Sequence, residues 1–344
     1  MNIRTMGKST VWLDNSRVIA MVAVVMLHVA TIVMDVNEIG STYWWFGNIY
    51  NSLVRWCVPV FVMISGSLLL DPHKQEDLST FYRKRISRLL LPITTWSILF
   101  LSWRFLKGTV KGSAPTGLEL LGKLIAGNPY EHMWFLYMIL GLYLFTPFFR
   151  KVIASNTPKE LNLLITATFS LAAVNHIYTS FTASGSKLFI NWFLLYIPFF
   201  LLGHRIRTAE FQPPKIMLWS IFLLSSALTA IGCFILAVQN NLPSGLYFYG
   251  YLSLTVIPMS ISIMYLLRDW NSPILNSNFT HRLSLLTLGI YLIHPVILEA
   301  IIHTGYATKI HPIFSVPIVT GIIFITAGIG AWILSHIPYL KKSI

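Results

Sequence analysis

Apolar runs of about 17 to 23 residues recur from one end of this 344-residue chain to the other, broken by short polar intervals. At ~1.5 Å per residue, a helical run of ~20 residues crosses the ~30 Å hydrocarbon core of a bilayer. Lipid offers no partner to backbone N–H and C=O groups, so each run must close its hydrogen bonds internally, which a helix does and an open sheet does not. The ~10-residue alternation of a transmembrane barrel is not present. The expected fold is therefore all-α, a polytopic membrane helix bundle with about ten transmembrane helices, drawn at 16–34, 49–70, 89–106, 133–149, 161–177, 188–203, 216–238, 247–267, 283–302 and 313–335. The longest polar interval, Lys107 to Glu131, has 25 residues. That is too short for a separate soluble domain, so one transmembrane domain over residues 1–344 is expected.

Composition agrees: 55% of residues are hydrophobic and 11% charged, against roughly a quarter charged in soluble domains. A net charge of +13 invites a nucleic-acid reading, but in a polytopic chain a basic excess belongs to loops held at the cytoplasmic face. With the N-terminus inside, that face carries Arg4 and Lys8, Lys74 with Arg83 to Arg88, Arg150 with Lys151 and Lys159, Arg205 to Lys215, Arg268, Arg282, Lys341 and Lys342. The other face carries Lys107, Lys111, Lys123, Lys187 and Lys309. Both termini are thus expected in the cytoplasm, with membrane lipid as a partner and nucleic acid not. Asp14 and Arg17 open the first run and no small-x-small cleavage site follows it, so it reads as a retained helix rather than a signal peptide. Cys57 and Cys233 fall within spans and read as small buried apolar residues. No metal is expected.

The first run carries two residues that are expensive in a membrane, Arg17 near its start and His28 near its middle. Eleven residues apart, they share one helix face and lie roughly 16 Å apart along the axis. A neutral imidazole at that depth can take a proton from a hydroxyl or relay protons in a transporter; a core histidine bonded to a neighbouring helix is the bland alternative. Asp14, three residues before Arg17, is placed to orient its guanidinium, or simply to favour the helix N-terminus. Arg85 and Arg88, also three apart, stand where the third span enters the membrane, and such a pair suits phosphate, although basic loops of this kind commonly only set topology. Arg55 in the second span either holds an incoming acceptor or snorkels; nearby Pro59 can kink the helix, and Ser65-Gly66-Ser67 permits close helix approach. Glu131 and His132 open the fourth span and are candidates for an external substrate. Glu299 with His294 and Pro295 form a further polar group, in which His294 can bond a carbonyl freed by Pro295.

Taken in order and spacing, Asp14-Asn15-Ser16-Arg17 with His28, Val58-Pro59-Val60-Phe61 with Ile64-Ser65-Gly66, Arg85-x-x-Arg88, His132-Met133-Trp134-Phe135-Leu136 and Leu288-Gly289-Ile290-Tyr291-Leu292-Ile293-His294-Pro295 resemble the acyltransferase-3 family of bacterial integral membrane O-acyltransferases. Within it, the chain is similar to the stand-alone enzymes that O-acetylate surface polysaccharides such as the enterobacterial common antigen. The resemblance implies an acetyl-CoA-dependent O-acyltransferase of the inner membrane. It would move acetyl from cytosolic acetyl-CoA to a sugar hydroxyl of an envelope glycan or a lipid-linked oligosaccharide. It further implies that Arg17 and His28 are required for activity and that Arg85 and Arg88 are the family's arginine pair. Together with the reading of the residues, Arg17, His28 and Asp14 are expected to serve catalysis, Arg85, Arg88 and Arg17 to hold the coenzyme A phosphates, and Arg55, Glu131 and His132 to meet the acceptor. Two departures stand out: Ser67 follows the Ser-Gly pair where many relatives carry an aromatic residue, and the C-terminal hydrolase-like domain of some relatives is absent, so transfer is expected without a fused helper. A secondary transporter or flippase for an envelope precursor is the competing expectation, although the prolines at 59, 92, 147, 198, 258, 295 and 317 show no pairing of broken helices.

Overall fold

The computed structural model describes residues 10–74, 76–182, 192–239, 242–304 and 310–344; Arg4, Lys8, Lys187, Lys309 and the first residues of the sixth expected span lie outside them. Among the described residues the regular structure is helical, with no strand. In chain order the helices are α1 Val11–Asp35, α2 Thr42–Val54, α3 Cys57–Leu69, α4 Leu78–Val110, α5 Gly117–Ile125, α6 Trp134–Ser155 and α7 Pro158–Thr182. They continue with α8 Trp192–Thr208, α9 Lys215–Gln239, the short α10 Leu242–Gly245, α11 Val256–Arg268, α12 Ser277–Thr304 and α13 Pro312–His336.

Among the described residues eight segments are long and apolar enough to cross a membrane: α1, α2 with α3, α4, α6, α7, α9, α12 and α13. The protein is a multi-pass, all-α membrane protein. Of the ten expected spans the sixth is only partly described and the eighth differs. The sixth continues into the described residues as α8, of 17 residues. The eighth, drawn over 247–267, is split: a 3₁₀ turn Leu246–Tyr249 ends at Gly250, and only α11, of 13 residues, follows. Pro258 explains the late start, because it sits in the first turn of α11, where its missing N–H has no helical partner to lose.

The break between α2 and α3 has the same origin. Pro59 cannot donate to the carbonyl four residues back, on Arg55, and its ring crowds it, so the helix interrupts at Arg55 and Trp56 and resumes with Val60 N–H bonded to the Trp56 carbonyl at 3.0 Å.

By contact the chain forms two compact units, Met1–Ile64 with Ile206–Ala331, and Ser65–Arg205 with Trp332–Ile344. In the first, α1 packs against α2, α11 and α12, and α9 packs against α2 and α11. Gly47 lets α2 approach closely: a Cβ there would stand 2.8 Å from Met34 Cγ and 3.1 Å from the Ala30 carbonyl. Asn48 Nδ2–H donates to the Ala230 carbonyl at 2.9 Å and Asn51 Nδ2–H to Thr31 Oγ1 at 2.9 Å, so polar bonds cross the apolar packing.

In the second unit α4 packs against α6. The Ser-Gly-Ser stretch does what its composition suggests. A Cβ on Gly66 would fall 1.8 Å from the Phe200 carbonyl oxygen, and buried Ser67 donates its hydroxyl proton to the Gly203 carbonyl at 2.7 Å.

Candidate functional site

In the first unit the face of α1 is tied to α12 through Asp14. Arg17 Nη1–H donates to Asp14 Oδ1 at 3.1 Å, as the three-residue spacing allows. The same carboxylate accepts the Ser284 hydroxyl at 2.7 Å and stands 3.0 Å from His281 Nδ1. Asp14 is 9% exposed, and its oxygens are filled by these three partners. It is a positioning residue in this geometry, holding Arg17 at a helix crossing. Ser284 and His281 were not singled out from the sequence. Their three-residue spacing on α12 was the available signal, but nothing local linked it to Asp14. Next to it, Asn15 Nδ2–H donates to the carbonyls of Ser272 at 2.8 Å and Trp270 at 3.2 Å, fixing the start of α1.

Deeper along α1, His28 meets His294 of α12, the ring centroids 5.2 Å apart and the planes inclined by 43°. The local reason for the His294 orientation is Pro295: without an N–H it leaves the Tyr291 carbonyl unbonded in the helix ladder. His294 Nδ1 lies 2.7 Å from that carbonyl oxygen and 3.2 Å from that of Ile290. A carbonyl only accepts, so the proton of the neutral ring is on Nδ1 and its lone pair is on Nε2. The carbonyl bond expected for His294 is present, and the contact with His28 adds to it.

Arg55, at the α2–α3 break, does not snorkel to an interface. Its Nη1–H donates to the Tyr249 carbonyl at 3.2 Å and its guanidinium carbon lies 4.1 Å from the centre of the Tyr249 ring. Its Nε is buried without an acceptor among the described residues. Arg55 also lies within electrostatic reach of His28, Cys57 and the Tyr251 hydroxyl. Tyr291, one turn from Pro295, stacks obliquely near His294 at 5.9 Å. The first unit therefore gathers two imidazoles, a guanidinium and tyrosine hydroxyls inside an apolar bundle. Such a set can accept a proton, return it and stabilise negative charge on oxygen.

The second unit holds the other candidates. Lys84 Nζ pairs with Glu76 Oε1 at 3.0 Å and keeps that carboxyl below the usual carboxylate range. Arg85 on α4 is half-buried and its Nε is buried with no acceptor among the described residues, while Arg88 is exposed. Glu131 is exposed. His132 faces inward: it is 4% exposed, with its ring 5.2 Å from Phe100 and 5.7 Å from Tyr130. An acceptor outside the protein would therefore reach Glu131 more readily than His132. No group of three or more His, Cys, Asp or Glu among the described residues is placed to hold a metal ion.

Asp14, Arg17, His28 and Arg55 thus share the first unit, and Arg85, Arg88, Glu131 and His132 the second. The family model described as an acyltransferase domain, that of the acyltransferase-3 family, matches residues 10–336, and the chain belongs to that family. No curated protein and no solved structure matches it.

Proposed function

We propose that this family member is a membrane O-acyltransferase of the bacterial inner membrane. In this reading it moves an acyl group, acetyl foremost, from cytosolic acyl-CoA to a sugar hydroxyl of a cell-envelope polysaccharide or its lipid-linked precursor. The observation that carries the reading is the His28 and His294 pair, 5.2 Å apart in a bundle interior with the His294 tautomer set by Pro295. A sugar hydroxyl attacks a thioester effectively only when its proton is removed as the bond forms, and an imidazole is suited to that near neutral pH.

His28 takes the proton as the acceptor oxygen adds to the thioester carbonyl carbon. The carbon–sulfur bond then breaks and the departing thiolate takes the proton back, so the products are ester and thiol and the imidazole is restored. His294 offers Nε2 as its basic position and acts on the His28 ring rather than on the reacting atoms. Arg55 and the Tyr251 hydroxyl supply donors for the oxyanion formed on the carbonyl oxygen. In the second unit Arg85 and Arg88 are assigned to coenzyme A phosphates on the chemistry of the guanidinium group, which matches phosphate in a fork of N–H donors, and in the first unit Arg17 is assigned an anion on the same chemistry. Asp14 orients Arg17, and Arg55 is assigned to the acceptor.

Incubating the purified protein with labelled acetyl-CoA and candidate glycans tests the reading. Covalent label in the glycan is expected, and glycan transported without modification would reject transfer in favour of transport. Mass spectrometry of envelope glycans from deletion and parental strains identifies the acyl group and its carrier together.

A further inference from the structure

Among the described residues of the second unit, the most buried lysine or arginine is one that the proposed reaction has not used. Arg150, near the end of α6, exposes only 7% of its surface. Its Nε–H donates to the Leu69 carbonyl at the end of α3, at 2.7 Å, and its guanidinium lies over the Phe81 ring, 5.0 Å from the centre. Those two contacts orient the guanidinium without neutralising it, and its Nη2 is buried with no acceptor among the described residues.

Phe81 is followed one turn later on α4 by Arg85, whose Nε is likewise buried and without an acceptor among the described residues. The two guanidiniums are within electrostatic reach of each other and of Glu76, and Arg150 also of Asp71. Neither carboxylate is bonded to them: Glu76 is taken by Lys84 at 3.0 Å and Asp71 accepts the His73 backbone N–H at 3.0 Å. Two like charges, each with a buried N–H turned away from water, are unfavourable in an empty protein and favourable around a multivalent oxyanion. Arg88, by contrast, is exposed and shares none of these contacts.

We propose that Arg150 and Arg85 form a phosphate-binding site, with Arg150 as its pre-oriented, buried member. The ligand chemistry is a phosphate monoester or diphosphate. This deepens the donor reading and rests on it only for identifying the ligand as coenzyme A, since a phospholipid headgroup presents the same oxygens.

The test uses the full-length protein in detergent, with coenzyme A, inorganic pyrophosphate and phosphatidic acid in mixed micelles as three separate probes. Coenzyme A and pyrophosphate are expected to bind competitively. Arg150→Gln and Arg85→Gln should each weaken both by at least about tenfold, and Arg150→Lys by less. Unchanged pyrophosphate and phosphatidic acid affinity in folded Arg150→Gln would overturn the proposal. If phosphatidic acid binds in an Arg150-dependent way and coenzyme A does not, the site stands as a lipid-phosphate site and the donor reading loses its anchor. Should Arg150→Gln fail to fold, the decision passes to the pyrophosphate-induced rise in unfolding temperature. It is expected in the parent, reduced in Arg150→Lys and lost in Arg85→Gln, and its absence in the parent for both pyrophosphate and phosphatidic acid overturns the site.

Discussion

Replacing Gly66 by alanine tests the packing of the second unit and its link to the phosphate site together. The added Cβ would sit 1.8 Å from the Phe200 carbonyl oxygen, where contacts under 3.0 Å are essentially never seen, and the obstacle is backbone rather than a side chain that can rotate. One helix must therefore retreat by more than 1 Å, a gap that forfeits a quarter to a half of each dispersion contact along the seam. Overpacking of this kind costs ~1–3 kcal/mol, and with backbone as the obstacle the upper end applies. The Ser67 to Gly203 bond of 2.7 Å stretches with it, at a further ~1 kcal/mol. Alanine returns ~0.5–1 kcal/mol as the better helix former, leaving a net loss of about 3 kcal/mol. Gly321→Ala is the control, since nothing lies within 4 Å of its added Cβ, and it should be neutral or stabilising by up to ~1 kcal/mol. Reversible unfolding in mixed micelles reads both. Leu69, one turn beyond Gly66, anchors Arg150, so Gly66→Ala should also weaken pyrophosphate binding while Gly321→Ala does not. Parental stability in Gly66→Ala, or an equal loss in Gly321→Ala, would refute the reasoning.

His28→Ala should lower acetyl transfer by ~10²–10⁴-fold with coenzyme A binding kept; transfer at the parental rate would remove His28 from the chemistry. His294→Ala should lower the maximal rate with little change in KM for acetyl-CoA and displace the pH–rate profile, whereas a purely structural role would leave the shape of that profile alone. Asp14→Asn keeps the size of the side chain but removes the charge facing Arg17 and His281, and a loss of ~1–3 kcal/mol in unfolding is expected; an unchanged unfolding curve would show that the crossing of α1 and α12 is held elsewhere. Glu76, whose carboxyl is lowered by the bond from Lys84, contributes stability above the unfolded carboxylate range and loses it as pH falls through the folded value. Glu76→Gln should therefore cost only ~0.2–1 kcal/mol at neutral pH, as an exposed pair does, and the gap to the parent should close in acid, which unfolding curves across pH will read.

What could be read along the chain was what depends on near neighbours. Run length set the spans, Pro59 foretold a break and Pro295 foretold the carbonyl bond of His294, because each acts on the residue four places back. Asp14 and Arg17 likewise met through one helical turn. The errors and omissions share a different cause. Pro258 was counted inside a span because a hydrophobic average does not distinguish a proline in the first turn from one in the middle. The position of His132 at a helix start carries no sign of its burial, which depends on Phe100 of another helix.

Arg150 is the sharpest case. In the sequence it is one more basic residue in a positively charged interval, indistinguishable from Lys151 beside it. Its distinction comes from Leu69, 81 residues earlier, and from Phe81 on a third helix. A cation that stabilises only its own solvated surface has no reason to be enclosed at such a junction, because losing water is costly unless charge or hydrogen bonds replace it. Leu69 and Phe81 replace part of that hydration and leave Nη2 unserved. The remaining deficit is what an anionic ligand would fill, so the stability of the empty protein and its affinity for phosphate should move in opposite directions when Arg150 is exchanged for methionine. Arg150→Met is expected to unfold at or above the parental temperature without ligand and to lose the rise that pyrophosphate produces. A variant that loses stability while keeping that rise would show that the guanidinium is there for packing.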